Sequence, residues 1–411
     1  MDVRTLMLLS LILVSKLSVS QSIWCNADSL IHAGKQNGKY DLFLQQVYAH
    51  EQKQGIETRS EKFFQVVVHI VRRSGTPEIS LAQVIQQLDV LNNDYAGTGE
   101  NIDKLLPEFR SLLANTGVRF CLAQTDPDGN PTTGITSTIT QFANIALLAG
   151  PGGRHAIHYD ALGGMDGWDP SRYINIWIGE FGNILGSSSF PGMGGRPEEM
   201  GVVINITAFG ALGDAARNGF YSRGHTLTHE LGHFLGLLHI WGDGPDDCED
   251  TDDIDDTPNA ANPYFDCPSG VQMSCGTSNM YQNFMDLTDD RCLAAFTLGQ
   301  SMRINSTIDV FYPDLAVKGS CLGVIKPFES WYDQLIWAYD QSSRQYVIYH
   351  PDGKAGDIRL EVFSVDGRFV LQDTWQGDQT YLLDLNLYAN GIYLVRIYDG
   401  EHEEVRKVVS Y

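Results

Sequence analysis

Apolar and polar positions change period along the 411 residues, and the changes divide the chain. Leu6–Val14 is a mostly apolar run, too short to span a bilayer. Residues 21–59 are polar, rich in Gln and Lys, and show little periodicity. Phe63–Val71 is a nearly continuous β-branched and aromatic run, which predicts a buried strand with His69 as a core histidine. Ser80-Leu81-Ala82-Gln83 has the form of a capping box, and Leu81, Val84, Ile85, Leu88 and Leu91 continue it as a helical stripe. Val118–Leu122, Tyr173–Ile178 and Val202–Ile206 predict further strands, with Cys121 a buried thiol in the first of these. The small, proline-closed segment Ile184–Gly192 suits a sheet edge, to which an extended peptide could add. After residue 340 the pattern turns to short alternating strands: Leu360–Val365, Phe369–Gln372 and Tyr393–Ile397. Asp366-Gly367, Asn390-Gly391 and Asp399-Gly400 are their hairpin signals.

The second half of that first unit carries the chemistry. A helix opening near Ser222 or Thr226 holds His229-Glu230-Leu231-Gly232-His233. Positions i and i+4 share a helix face, so His229 and His233 can aim two imidazoles at one metal ion. Gly236 allows the left-handed turn that ends the helix, and His239 then arrives as a third nitrogen ligand. Three protein ligands with an open fourth position is the pattern of a catalytic zinc site. Glu230, beside the first ligand, is placed to act as general base on a water. His225, one turn earlier, is expected outside the metal sphere.

The formal net charge of −23 argues against nucleic acid, whose phosphates need Lys and Arg. Nine of the fourteen residues 243–256 are acidic, and Asp252 to Pro258 packs several hard oxygen donors into one turn. Calcium accepts such irregular oxygen sets, so a structural calcium site is expected there. Residues 1–20 read as a signal peptide, with Arg4 in the charged region and Ser18-Val19-Ser20 before the cut. Export permits disulfides, and four of the seven cysteines crowd into residues 248–292. Spacing alone leaves three possible pairings among them. Cys25 is the only cysteine in residues 21–59, and its thiolate could fill the open metal position and hold the enzyme latent. No run is long enough for a transmembrane helix.

The long zinc pattern, followed by Met285 in Asn283-Phe284-Met285-Asp286, is that of the metzincins. With Val66-Val67-Val68-His69-Ile70-Val71, Phe120-Cys121-Leu122-Ala123, Asp256-Thr257-Pro258 and Phe296-Thr297-Leu298-Gly299-Gln300, residues 62–312 resemble the pappalysin family, its ulilysin-like members most. The resemblance implies an α+β catalytic domain, a mixed sheet with an active-site helix. It implies zinc on His229, His233 and His239, Glu230 as base and Met285 as an apolar floor. It further implies disulfides Cys248–Cys275 and Cys267–Cys292, and calcium ligands near Asp252, Asp255 and Thr257. Asp290 falls where such enzymes place a pocket carboxylate, which implies a preference for Arg, or Lys, after the scissile bond. That preference would let the enzyme cut between Thr58 and Arg59 and shed residues 21–59 as a pro-segment. One departure stands out. Relatives often carry Tyr two residues after the Met, and here that residue is Leu287.

The tail pattern Val365-Asp366-Gly367-Arg368-Phe369-Val370, Asn390–Ile397 and Arg406–Val409 resembles C-terminal sorting domains of the type IX secretion system. The organisation expected is therefore a signal peptide (1–20), a pro-segment (21–59), a catalytic domain (60–312), a linker (313–340) and a small all-β sandwich (341–411). The function expected is that of a secreted or cell-surface zinc endopeptidase. Its partners are protein or peptide substrates and, through the tail, secretion machinery. The alternative is a catalytically weak surface binding or adhesion protein that keeps the metalloprotease fold.

Overall fold

The computed structural model describes residues 25, 28–53, 61–130, 132–211, 219–242, 248–317, 335–340, 345–349, 357–364, 368–376, 380–389, 391–398 and 403–410. The expected signal peptide, the Thr58-Arg59 bond and the start of the acidic run (243–247) lie outside them.

Residues 28–53 form two helices, α1 (Asp28–Gln36) and α2 (Lys39–Glu51), where the sequence suggested little periodicity. In α2 the residues Tyr40, Phe43 and Val47 are buried, a narrow i, i+3, i+7 stripe in an otherwise polar segment.

The central sheet is built on β1 (Lys62–Arg73), which is long enough to serve two partners in sequence. Its first half pairs in parallel with β2 (Val118–Leu122), and its second half with β3 (Ile135–Thr140). On its other side lies β4 (Ile174–Gly179), then β6 (Gly201–Asn205), both parallel. The edge is β5 (Gly186–Ser188), antiparallel to β6 and within the segment expected there. Parallel strands covered on both faces need no polar alternation, hence the apolar runs of β1, β4 and β6. His69 is buried among them, within hydrogen-bond distance of Thr136 Oγ1 (2.7 Å) and Asn175 Oδ1 (2.9 Å). Burial pushes its imidazole down to about 4, so it is a neutral core residue.

One face of the sheet carries α3 (Leu81–Ala96) and α4 (His225–Phe234), packed over Val66, Val68, Ile176 and Ile204. The Ser80 hydroxyl caps α3 by accepting from Gln83 N (3.1 Å). The Gln83 side chain, however, donates to Phe209 O (2.7 Å), so the expected capping box is only half formed. A hairpin of β7 (Met273–Ser274) and β8 (Thr277–Ser278) precedes α5 (Leu298–Phe311), which does open on a full capping box of Thr297 and Gln300. The chain then returns as β9 (Ala316–Val317) and pairs with the start of β1, so this body extends past residue 312.

The C-terminal strands form two sheets. The first holds β10 (Ile336–Asp340), β11 (Gln345–Tyr349) and β14 (Tyr381–Asp384). The second holds β12 (Asp357–Ser364), β13 (Phe369–Gln376), β15 (Gly391–Tyr398) and β16 (Glu403–Ser410). Thus β10 belongs to the sandwich although residues 313–340 were expected to be linker. β14 and β15, on either side of the Asn390-Gly391 signal, lie in different sheets and are not hairpin partners; Asn390, Asp366-Gly367 and Asp399-Gly400 lie outside the described residues.

The cysteines pair as Cys248–Cys275 and Cys267–Cys292, the arrangement the resemblance implies. Cys121, expected as a thiol, is disulfide-bonded.

Candidate active site

All ten residues of α4 are buried, between the sheet and the loops that follow. Helical spacing brings His229 and His233 to one face, and Gly236 then turns the chain at φ 90°, where an added Cβ would also strike Thr307 and Phe43. His239 returns beside them with its ring stacked on Trp241, centroids 4.2 Å apart. The three Nε2 atoms form a near-equilateral triangle of 3.1, 3.2 and 3.2 Å.

Two of the rear nitrogens are held by backbone carbonyls. His229 Nδ1 donates to Phe284 O (2.7 Å) and His233 Nδ1 to Leu237 O (2.8 Å). In neutral rings the single proton of these two is spent on the carbonyls, so the Nε2 atoms of His229 and His233 face inward as lone pairs, with His239 Nε2 completing the triangle. Burial, and then the charges of His239 and His229, hold His233 well below the ordinary imidazole range. Ring nitrogens packed this closely, at least two of them presenting lone pairs, repel unless a cation lies among them. In a tetrahedral site with roughly 2.0–2.1 Å bonds, ligand nitrogens sit roughly 3.3 Å apart, so the triangle fits zinc.

Glu230 is fully buried beside the triangle and lies against Gly186 on the β5 edge. Cys25 occupies the remaining side. Its Sγ is 3.8 Å from Glu230 Oε2, and it and the three histidines offer ligand atoms all within 4.8 Å of one another. The Cys25 backbone bridges Gly186 in parallel, so this segment lies along the sheet edge expected to take substrate. Met285 packs under the site, so close to Gly232 that a Cβ there would lie 2.4 Å from its sulfur.

Next to Glu230 is a pocket lined by Tyr221, His225, Asp286, Leu287 and Asp290. Asp290 is buried at 1% exposure, and it is Asp289 that pairs with Arg291. One Asp290 oxygen accepts from Arg223 N (2.7 Å) at the start of α4, while Oδ1 has no hydrogen-bond partner among the described residues. Burial raises its carboxyl, opposed by the charge of His225. His225 is outside the metal triangle: its Nδ1 pairs with Asp94 Oδ2 at 2.8 Å, and Thr228 Oγ1 donates to the same oxygen (2.6 Å). Burial works against the imidazolium, but Asp94 more than offsets it and pushes His225 up to about 9. Asp94 lies 131 residues from His225 with no sequence signal to link them. Asp286 is likewise buried, pushed up to about 8 by that burial, with Oδ1 accepting from the Tyr264 and Leu287 amides. The Leu287 side chain brings no hydroxyl to the site; its carbonyl accepts from the Tyr221 hydroxyl (3.2 Å).

The expected calcium loop is split. Asp252 and Thr257 are buried side by side, with Asp252 raised well above the carboxylate range by desolvation. Asp255 is exposed instead. Asp256 is committed elsewhere, capping α5 through Thr297 Oγ1 (2.7 Å) and Gly299 N (2.8 Å).

Residues 160–309 match the family described as pregnancy-associated plasma protein-A, and residues 345–410 match a secretion system C-terminal sorting domain. Extracellular metalloproteases of Arthroderma benhamiae and Trichophyton verrucosum are each 30% identical over 243 residues, 57% of this chain and 68% of the relative. A promirolysin mutant of Tannerella forsythia superposes with a TM-score of 0.64 at 32% identity, over 71% of this chain and 96% of that one. The chain belongs to the pappalysin family of metallopeptidases. Mature Tannerella forsythia mirolysin in complex with a cleaved peptide also matches, with a TM-score of 0.59 and 36% identity over 63% of this chain and 97% of that one. As a pappalysin the protein is a metalloendopeptidase, and its family implies the zinc that the histidine triangle fits. The sorting tail makes it a secreted or cell-surface protein. No helix among the described residues is long and apolar enough to cross a membrane.

Proposed function

We propose that this pappalysin is made as a zymogen and cleaves peptide bonds with Glu230 as general base and a preference for Arg, or Lys, after the scissile bond. The observation that carries the reading is the Nε2 triangle of His229, His233 and His239 with the Glu230 carboxylate beside it. Zinc held there would supply an acidified water and a polarised carbonyl. Glu230 takes the proton from that water. Burial beside Gly186 keeps its carboxylate next to the edge where the substrate backbone lies. It then returns the proton to the leaving amine. The uncommitted oxygen of Asp290 is the anion for a guanidinium in the pocket beside it.

Cys25 serves as the latency switch, its thiol set among the ligands. Residues 21–59 form the pro-segment. A longer part of this chain aligns with the pro-form of the Tannerella enzyme (71%) than with the mature form (63%), which supports that boundary. Asp252 and Thr257 are the core of a structural calcium site. Residues 1–20 direct export, and the tail engages the secretion machinery.

The test is Glu230→Ala in the activated enzyme. It should bind one zinc per chain and lose cleavage of casein by roughly a hundredfold or more. Full retained cleavage would sink the mechanism. The missing hydroxyl at Leu287 favours a second reading, a weak binding protein on the same fold. Casein hydrolysis abolished by a zinc chelator would exclude it.

A further inference from the structure

The pro-segment reading accounts for Cys25 but not for the helices that follow it. Of the described residues within 25–53 only Cys25 stands among the metal-ligating groups, and the helices pack elsewhere. Phe43 of α2 packs on the Gly236 turn, where a Cβ would come within 2.9 Å of its ring, and so stands under the turn that delivers His239. Its ring also meets Phe190 (5.2 Å) and Phe311 (5.4 Å). With Ile31, Tyr40 and Val47 it forms a closed apolar cluster against Phe190, Met193 and Leu238.

Around this apolar centre the contacts are polar and directional. Lys39 Nζ donates to Met193 O (2.8 Å), and Lys35 pairs with Asp250 (3.3 Å). The Tyr40 hydroxyl donates to Asp253 Oδ2 (2.9 Å) and the Tyr48 hydroxyl to Asp253 O (3.1 Å). Arg303 of α5 ties the two sides together, pairing with Glu51 (3.2 Å), donating to Asp253 O (2.8 Å) and lying over the Tyr48 ring (5.0 Å). A buried apolar centre with a hydrogen-bonded rim is the anatomy of a protein–protein interface.

We infer that this surface is a helix-docking site in its own right, and that it holds the pro-segment after the chain is cut between Thr58 and Arg59. The cut removes a covalent link and none of the contacts above. The severed segment 21–58 is then a non-covalent inhibitor, with Cys25 as the blocking group and α1–α2 as the handle. The occupant it accepts is an amphipathic helix with aromatic residues at i and i+3, an aliphatic residue at i+7, and a cation and tyrosine hydroxyls for the acidic loop. Release then needs dilution or a second cut. The inference rests on the zymogen reading.

The experiment uses full-length Glu230→Ala protein, cut in trans by a trace of active enzyme and cleared of its pro-segment by mild denaturant and refolding. Labelled peptides spanning residues 21–59 are titrated onto it by fluorescence anisotropy. The same peptides are assayed as inhibitors of the cleared active enzyme. Before clearing, the severed fragment should co-elute with the enzyme at physiological ionic strength. The Cys25→Ser peptide should still bind and compete with the wild-type peptide. Phe43→Ala should weaken binding by roughly a hundredfold, as for a lost buried aromatic. The inference is overturned if the fragment separates at once, if Cys25→Ser abolishes binding, or if Phe43→Ala leaves it unchanged. An enzyme that binds the peptides but cleaves nothing, cleared or not, would refute the peptidase reading and leave the docking site standing.

Discussion

The Asp94–His225 pair gives a prediction whose size and pH dependence both follow from the structure. Both side chains are almost fully buried, at 1% and 2% exposure, and the Nδ1–Oδ2 distance is 2.8 Å. Asp94→Asn keeps the shape and removes the charge. The raised His225, about 9 against 6.5 for the free imidazole, corresponds to roughly 3 kcal/mol of folding stability. Because the folded state holds the proton more tightly, this stabilisation is complete below the unfolded value and is lost as pH rises through about 9. The variant should therefore be less stable than wild type by roughly 3 kcal/mol at about pH 6, and the gap should narrow towards about pH 9.5. The measurement is guanidinium unfolding followed by tryptophan fluorescence at both pH values, with disulfides intact. An equal loss at both would mean that packing or the Thr228 hydrogen bond, and not the ion pair, accounts for Asp94. The variant should also bind Arg substrates differently, since the charge of His225 opposes the burial of Asp290.

Three further outcomes are expected. Cys25→Ala in the full chain should raise basal cleavage of a peptide substrate at least ~10-fold, since it removes the thiol from the ligand set; an equally silent zymogen would refute the switch. Asp290→Asn should lower kcat/KM for substrates with Arg after the scissile bond by ~10- to 100-fold relative to Met in that position, the scale of a lost charge-assisted pair; an unchanged ratio would assign the preference elsewhere. Removing calcium with a chelator that spares zinc should lower the Tm by several degrees in the wild type and by less in Asp252→Asn, where the buried carboxylate no longer seeks a cation. Identical shifts would place the ion elsewhere.

What could be read in the sequence was local. His229, His233 and His239 are linked by one helical turn and one glycine turn, so their convergence follows from spacing. β1 is legible because a strand covered on both faces is a nearly continuous apolar run, broken between Phe63 and Val71 only by Gln65 and the buried His69. β3 is not, because its Ile-Thr-Ser-Thr-Ile-Thr is half exposed and resembles a polar loop. In α2 only three of thirteen residues are buried, too few to mark a stripe amid charged neighbours. α5 carries its start signal in Thr297 and Gln300, a capping box that lies within the family-like stretch Phe296–Gln300. The partnerships of Cys25 with the site, 205 residues away from Glu230, and of Asp94 with His225 depend on tertiary packing, and no periodicity encodes them.

The two disulfides interlock, since Cys267 lies inside the loop closed by Cys248–Cys275 and Cys292 lies beyond it. Their loops, spanning 27 and 25 positions, together enclose Asp252, Thr257, Met285 and Asp290. Each closure of this length is worth roughly 3 kcal/mol. In a reducing cytoplasm both are open, and the segments carrying Met285 and Asp290 lose their tether while the three histidines keep theirs. Folding of this half of the active centre is thereby tied to an oxidising environment, which a secreted or cell-surface protein meets only after export.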